Sequence, residues 1–235
     1  MFSLYSREYK EVQLYMRALT SICMDDSLAY FFTLHDFGRI REGVFNKEKT
    51  FNKLKKLKIN NSRELKNKLD WIIKTGWREE FQKISYLLTS LSELDRNNYI
   101  NSLDSEDDYS LKVRIVNYYL NKLPVNGTLA YDYAWYIYLC RAGLARGFLT
   151  RKEAWSYMLN AAKVVQQSYP DWNEYITAYV CGHQLMMYDE TFSFIHKNQK
   201  FITKLFASEY SPIRRINWNI DLDSISAPKI LNYFY

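Results

Sequence analysis

Hydrophobic side chains recur every three or four residues along almost the whole chain. That spacing places them on one side of an α-helix, whereas a β-strand would show strict alternation. One such stripe is formed by Leu65, Leu69 and Ile72, and it ends before Gly76, a residue type that commonly ends helices. The same spacing predicts helices over residues 7–22, 25–37, 46–57, 62–75, 79–94, 111–123, 129–146, 151–169, 172–188 and 191–206.

The turn between residues 147 and 153 is the clearest local signal in the sequence. Gly147 can adopt the left-handed conformation that ends a helix, and Thr150 with Glu153 forms a capping box for the next helix. The two helices should therefore form a tight αα-hairpin. Trp155 and Trp172 each follow a capped helix start and face apolar neighbours, so we expect both indoles to anchor the core.

The composition favours the same helical fold. The 235 residues include only 7 Gly and 4 Pro, although a sheet protein needs many tight turns that use these residues. Aromatic residues make up 17% of the chain, which rules out disorder as its main state. We predict an all-α single domain over residues 1–235, a bundle of roughly 8–10 helices with tight αα-hairpins. Residues 95–110 are predicted to form an exposed acidic loop, and residues 219–235 a docked C-terminal tail.

Cysteine usage and hydropathy indicate the compartment. Cys23, Cys140 and Cys181 lie far apart in apolar stretches, a pattern that fits neither a disulfide framework nor a zinc site. The first residues carry charges before any apolar run, unlike a secretory signal, and no apolar stretch is long enough for a membrane span. These features predict a cytoplasmic protein without a membrane span. Phosphate-binding and metal-binding motifs are absent from the sequence, so we expect no cofactor.

Charge is distributed unevenly, although the net charge is only +6. The region Arg39–Lys83 contains 14 Lys or Arg against 6 Asp or Glu, and residues 93–108 contain 6 acids against one Arg. A solvated pair of helices with a balancing acidic connector would explain this pattern. A binding face would explain it as well, because the Lys53–Lys83 helices would suit nucleic acid or another anionic surface.

Candidate catalytic residues are few, and no motif assigns a role to any of them. They are Asp132, Arg141, Glu153 and His183. The four would form a hydrolase-like site only if folding brought them into one cleft with shifted pKa values. We favour the interpretation that Asp132 complements the start of its helix and that His183 is a hydrogen-bonded core residue. If Asp132 is instead one member of a buried pair, we favour a pairing with His183 across a close helix contact at Gly182.

Several short sequences occur in an order that is similar to one known family. They are Ala130-Tyr-Asp132, Arg141-Ala-Gly143, the run from Gly147 to Trp155, the run from Gln166 to Trp172, and Tyr179-Val-Cys-Gly182. With flanking blocks, the resemblance covers about residues 51–218 and points to the bacterial, uncharacterised family catalogued as domain of unknown function 1266. The resemblance implies a bacterial origin and a helical fold, and it transfers no activity. Two arginines common in that family are replaced here by Trp135 and His183.

These observations leave three functions open. We favour a non-enzymatic cytosolic protein-interaction module, of an adaptor or immunity type, because catalytic motifs are absent and the charge is split. Its partner would be another protein. A hydrolase-like enzyme with a cleft around Asp132 and His183 is the first alternative, and a nucleic-acid binder that uses the Lys53–Lys83 helices is the second.

Overall fold

The computed structural model describes residues 7–23, 37, 52–105 and 107–223. A 3₁₀-helix, Ser21–Cys23, follows the first α-helix, and residues 52–56 are also helical. The predicted helix over residues 25–37, apart from its last residue, lies outside the described part of the chain. The α-helices are α1 (Arg7–Leu19), α2 (Ser62–Lys74), α3 (Arg78–Ser90), α4 (Glu93–Ser102), α5 (Asp108–Tyr119), α6 (Leu129–Arg146), α7 (Arg151–Ser168), α8 (Trp172–Met187), α9 (Ser193–Lys197), α10 (Gln199–Ala207) and α11 (Pro212–Arg215).

Helix α6 lies at the centre of the fold. Of its 18 residues, 13 are buried, and α7, α8 and α2 pack around it. A helix that is apolar on nearly every side needs such neighbours to cover it. The described residues are 73% helical and contain no strand, which confirms the all-α prediction.

Among the residues that the structure describes, two clusters of buried side chains form the core, and helix α8 contributes to both. The larger cluster joins α1, α2, α6, α7 and α8, and Tyr15 and Ile137 are among its fully buried members. The smaller cluster joins α3, α5 and the second half of α8 through Leu88, Val116 and Leu185. Because one helix lies in both clusters, the arrangement supports a single domain, which remains our prediction.

The turn between α6 and α7 has the predicted caps. The Thr150 hydroxyl accepts a hydrogen bond from the Glu153 backbone N–H at 3.2 Å, and the Glu153 carboxylate accepts one from the Thr150 N–H at 2.8 Å. Gly147 has a φ of 74°, the left-handed conformation predicted for it. The tight hairpin is therefore confirmed. Thr128, in contrast, precedes α6 without making a side-chain capping hydrogen bond.

Residues 95–110, which were predicted to form a loop, are partly helical. Residues Glu93–Ser102 form helix α4, and the hydroxyl of Ser92 caps it by accepting a hydrogen bond from the Asp95 N–H at 3.1 Å. Helix α5 begins at Asp108, within the range predicted as a loop. Most of the described residues in this range are exposed, although Ser110 is buried. Helix α4 has no hydrophobic stripe, so hydrophobic periodicity did not predict it.

Both predicted tryptophan anchors are buried. Trp155 stacks on Tyr9 of α1 with ring centroids 4.5 Å apart, and Trp172 lies edge-on to Trp218 at 4.9 Å. Leu222, at the described start of the C-terminal tail, packs into the larger core cluster. Residues 224–235 of the predicted tail lie outside the described residues. The helix predicted over 191–206 is divided into the short α9 and the longer α10.

Candidate functional site

Asp132, in the first turn of α6, is the centre of the candidate site. Its side chain is 0% exposed, and its carboxylate accepts three hydrogen bonds. The backbone N–H groups of Trp77 and Arg78 donate at 2.9 and 3.2 Å, and the Arg78 guanidinium donates at 2.7 Å. Asp132 therefore ties the start of α3 to α6.

Arg78 joins the same carboxylate to the end of α2. Its guanidinium also donates to the backbone oxygens of Ile72, at 2.6 Å, and Ile73. Carbonyls in the last turn of a helix lack partners within the helix, and a cation there also complements the helix dipole. Trp77 precedes α3 without a capping side chain, so Asp132 supplies the missing cap from another helix. The pair of Asp132 and Arg78 thus fixes three helix ends.

The surroundings of Asp132 favour a structural role. Burial raises the pKa of its carboxyl group above the ordinary value, and the hydrogen bonds from Arg78 and from the Trp77 N–H oppose that shift. A general acid or base must reach the proton that it transfers. This carboxyl group instead lies inside the fold with its side chain 0% exposed, where it accepts hydrogen bonds from Trp77 and Arg78.

Three partly buried tryptophans lie side by side next to this ion pair, and we call them the tryptophan cluster. Trp71 comes from α2, Trp77 from the turn before α3, and Trp135 from α6, one turn after Asp132. The Trp71 and Trp77 rings are nearly perpendicular with centroids 5.1 Å apart, and the Trp77 and Trp135 centroids are 6.4 Å apart. Because the Trp77 backbone bonds to Asp132, the buried ion pair holds the middle ring in place.

Two lysines cover the tryptophan cluster. The Lys68 ammonium lies 3.5 Å from the Trp71 ring centroid and 4.5 Å from that of Trp77, and the Lys53 ammonium lies 5.7 Å from that of Trp135. These distances are within the range of cation–π attraction. Partial burial lowers the pKa of Lys68, while nearby Asp132 opposes that shift. We refer to these three tryptophans and two lysines as the tryptophan–lysine face.

Arg141 and Glu153, two of the predicted candidates, lie in surroundings of their own. Arg141 donates to the hydroxyl of Thr20, and its guanidinium carbon lies 4.3 Å from the Phe37 ring centroid. Glu153 belongs to the capping box of α7 and pairs with Lys66 at 2.7 Å. The Lys66 ammonium and the Thr150 donors lower the pKa of Glu153 to about 2. Both residues therefore already serve helix packing or capping.

His183 does not pair with Asp132. Its ring lies 6.4 Å from that of Tyr131 and 6.3 Å from that of Tyr179, which makes it part of an aromatic group between α6 and α8. The side-chain partner of Asp132 is Arg78, so the alternative pairing of Asp132 with His183 was wrong. Asp132 is buried in an ion pair, but with a residue that the sequence had not singled out.

The sequence alone did not lead us to predict a role for Arg78 or the presence of the tryptophan–lysine face. One signal was available, because α3 starts after Trp77 with no Ser, Thr, Asp or Asn in the capping position. A helix start without its own cap implies an acceptor elsewhere in the fold. Neither the identity of that acceptor nor the meeting of Trp77 with Trp135 could be derived from local patterns.

A small surface depression lies apart from the candidate catalytic residues. Its volume is about 270 Å³, and it lies between α1 and residues 217–221, lined in part by Glu8, Glu11 and Asp221. None of the four candidate catalytic residues lines it. Within the described residues, no group of three or more His, Cys, Asp or Glu is arranged to hold a metal ion.

Part of the basic charge in the Lys53–Lys83 region is paired within the chain. Four of its cations contact carboxylates at 2.7 to 3.0 Å: Lys66, Lys74, Arg78 and Lys83. Exposed lysines that could meet phosphates are concentrated at residues 55–58, before α2. The surface available for binding an anion is therefore smaller than the composition of this region indicated.

Comparison with known proteins shows to which family this chain belongs. A family described as a protein of unknown function (DUF1266) matches residues 55–218. The chain belongs to this family. The DUF1266 match extends over α2 to α11, so it contains Asp132, Arg78 and the tryptophan cluster, and it confirms the resemblance seen in the sequence. Searches of curated proteins and of solved structures found no match. In the part of the chain that the structure describes, no helix is long and apolar enough to cross a membrane.

Proposed function

We propose that this protein is an interaction module that binds another protein through the tryptophan–lysine face. The observation that carries the proposal is the contact of one ammonium group, that of Lys68, with the rings of both Trp71 and Trp77. Tryptophan is the residue most enriched among those that dominate binding energy at protein interfaces, where it forms the centre of the contact. A partly exposed group of three tryptophans is therefore unusual on a surface with no partner.

The rigidity of the face supports the same proposal. Trp77 is fixed by its backbone hydrogen bond to Asp132, and Trp135 follows Asp132 by one turn of α6. A preorganised surface binds more tightly because little conformational entropy is lost on association. In this account, the buried pair of Asp132 and Arg78 positions the binding aromatics and takes no part in chemistry.

The chemistry of the face suggests what the partner presents. Lys53 and Lys68 add positive charge to an aromatic surface, and exposed lysines at residues 55–58 extend it. A complementary surface would combine an apolar side chain with carboxylates. An adaptor or immunity-type protein that recognises an acidic partner would fit this chemistry.

Two further expectations accompany the proposal. We infer a cytoplasmic location, which is supported by three buried cysteines that form no disulfide. A bacterial origin remains a prediction from the family resemblance. The hydrolase-like alternative is weakened because Asp132, Arg141 and His183 lie in separate surroundings.

Site-specific photo-cross-linking tests the proposal. A photoreactive residue would replace Asn67, which is exposed and lies one helical turn from Trp71, and a matched control would replace the exposed Asn160 on α7. In the cells that produce the protein, we expect a protein adduct from position 67 only. Trp71→Ala should abolish most of the adduct, provided that thermal melting shows the variant to be folded.

Two results would contradict the proposal. Equal adducts from the two positions would show that the tryptophan–lysine face has no special role. An adduct at position 67 that nuclease removes would favour the nucleic-acid alternative instead.

A further inference from the structure

Helix α4 is an unusual element because none of its residues is buried. It packs on α5 through the partly buried Tyr99 and Ile100, while Leu94 in its first turn is 70% exposed. Helices that are polar on all sides are stable mainly when they bridge to another surface or carry many internal ion pairs. No salt bridge within the described residues stabilises α4, so its open side is suited to a second contact.

Exposed carboxylates at the starts of α4 and α5 lack ion-pair partners within the described chain. The exposed carboxylates of Glu93 and Asp108 have no ion-pair partner there, and Asp95 bonds only to the hydroxyl of Ser92. We call residues 93–105 and 107–108 the acidic segment. It presents an exposed leucine between two acids at positions 93–95, which is the combination that a basic aromatic surface binds well.

Positive charge on and beside the tryptophan–lysine face lacks carboxylate partners at several lysines within the described residues. The Lys68 ammonium contacts two indole rings and pairs with no carboxylate among the described residues. Exposed Lys55, Lys56 and Lys58 also lack ion-pair partners there. The face is formed by α2, α6, the turn before α3 and the helical residues 52–56, whereas α4 packs on α5. No ion pair joins the face to the acidic segment within the described residues.

We propose that the acidic segment of one copy of this chain docks on the tryptophan–lysine face of a second copy. Leu94 packs against the indole rings, and the carboxylates beside it pair with Lys68 and its neighbours. The inference rests on the proposed function and names its partner. Two copies that exchange these surfaces form either a closed symmetric dimer or an open chain, depending on whether the rotation closes.

A charge-swap experiment in the full chain tests the inference. Sedimentation equilibrium measures self-association of the wild type, of Lys68→Glu and of Glu93→Lys at low ionic strength. Each variant places like charges against each other, so we expect the dissociation constant to rise about tenfold or more. An equimolar mixture of the two variants restores opposite charges at the contact and should associate about as tightly as the wild type. High salt should weaken all of these contacts.

Matched controls separate this contact from a general charge effect. Lys152→Glu and Glu209→Lys make the same charge changes at exposed positions outside both surfaces, and they should leave the dissociation constant unchanged. Controls that weaken association as strongly as the two test variants would overturn the inference. So would a mixture that stays as dissociated as its components.

A second measurement uses only the wild type and does not depend on variant folding. Unlabelled and ¹⁵N-labelled chains are mixed and joined with a zero-length carbodiimide cross-linker, which links carboxylates to lysines. We expect mixed-isotope links between the acidic segment and Lys68 or the lysines at 53–58. Links confined to single-isotope species, together with a monomer at all concentrations, would overturn the inference. The proposed function would then still stand if position 67 formed its adduct with a different protein, and it would fail if no adduct formed.

Discussion

Replacing Gly76 with alanine tests whether the ion pair of Asp132 and Arg78 fills the space beside this residue. Gly147 provides a matched control. Both Gly76 and Gly147 have left-handed backbones, with φ values of 67° and 74°. A Cβ atom added at Gly76 would lie 2.0 Å from Oδ2 of Asp132 and 2.5 Å from Nη1 of Arg78. A Cβ added at Gly147 would have no atom within 4 Å. The two substitutions to alanine therefore share the backbone strain and differ only in the clash.

The expected magnitudes follow from this difference. A left-handed alanine costs about 1 kcal/mol, which is all that Gly147→Ala should lose. Gly76→Ala must also displace the buried pair of Asp132 and Arg78, and disrupting such a pair costs about 3 kcal/mol or more. The total of about 4 kcal/mol would lower the melting temperature by roughly 8–16 °C, against about 2–4 °C for the control, in a chain of this size.

Urea unfolding followed by circular dichroism measures both variants under the same conditions. We expect the free energy of unfolding to fall several times more for Gly76→Ala than for Gly147→Ala. Equal losses for the two variants would refute the reasoning, because they would show that the carboxylate of Asp132 and the guanidinium of Arg78 do not occupy the space beside Gly76.

Three further predictions use the same assay. Asp132→Ala should cost about 4 kcal/mol, because three donors lose their acceptor, and Asp132→Asn should cost about half as much, because an amide oxygen still accepts; a loss under about 1 kcal/mol for the alanine variant would contradict this. Glu153 has its pKa lowered to about 2 by Lys66 and Thr150, so its stabilising effect should be complete above about pH 4.5 and disappear as the pH falls toward about 2. The stability difference between the wild type and Glu153→Gln should therefore shrink over that range, and a constant difference would contradict the pairing. Trp155→Ala should cost about 3–5 kcal/mol by removing a buried indole that stacks on Tyr9, and a loss below about 1 kcal/mol would place the indole at the surface.

The helices that could be predicted from the sequence are those with local signals. The capping box of Thr150 and Glu153 involves residues three positions apart, and the left-handed Gly147 depends only on its own backbone. Such features need no knowledge of the fold. Helix α4 was missed because its residues face water on nearly all sides, so no hydrophobic period distinguishes it from a polar loop.

The candidate site depends on contacts between distant parts of the chain. Asp132 was recognised as a candidate, but its partner Arg78 lies 54 residues earlier and on another helix. His183 was considered as an alternative partner because Gly182 could allow a close approach, whereas in the fold Arg78 donates to Asp132. The sequence therefore indicated Asp132 as a candidate but did not indicate the tryptophan–lysine face. The reason is that Trp77 and Trp135 meet only in the folded chain.

Footprinting of the tryptophan–lysine face inside the producing cells tests the central claim most directly. Hydroxyl radicals oxidise accessible side chains, and mass spectrometry then compares Trp71 with the exposed Tyr210 in purified protein and in cells. If a protein covers the face, oxidation of Trp71 relative to Tyr210 should fall severalfold in cells. The same ratio of oxidation in cells and in dilute purified protein would contradict the claim that this face is a protein-binding surface.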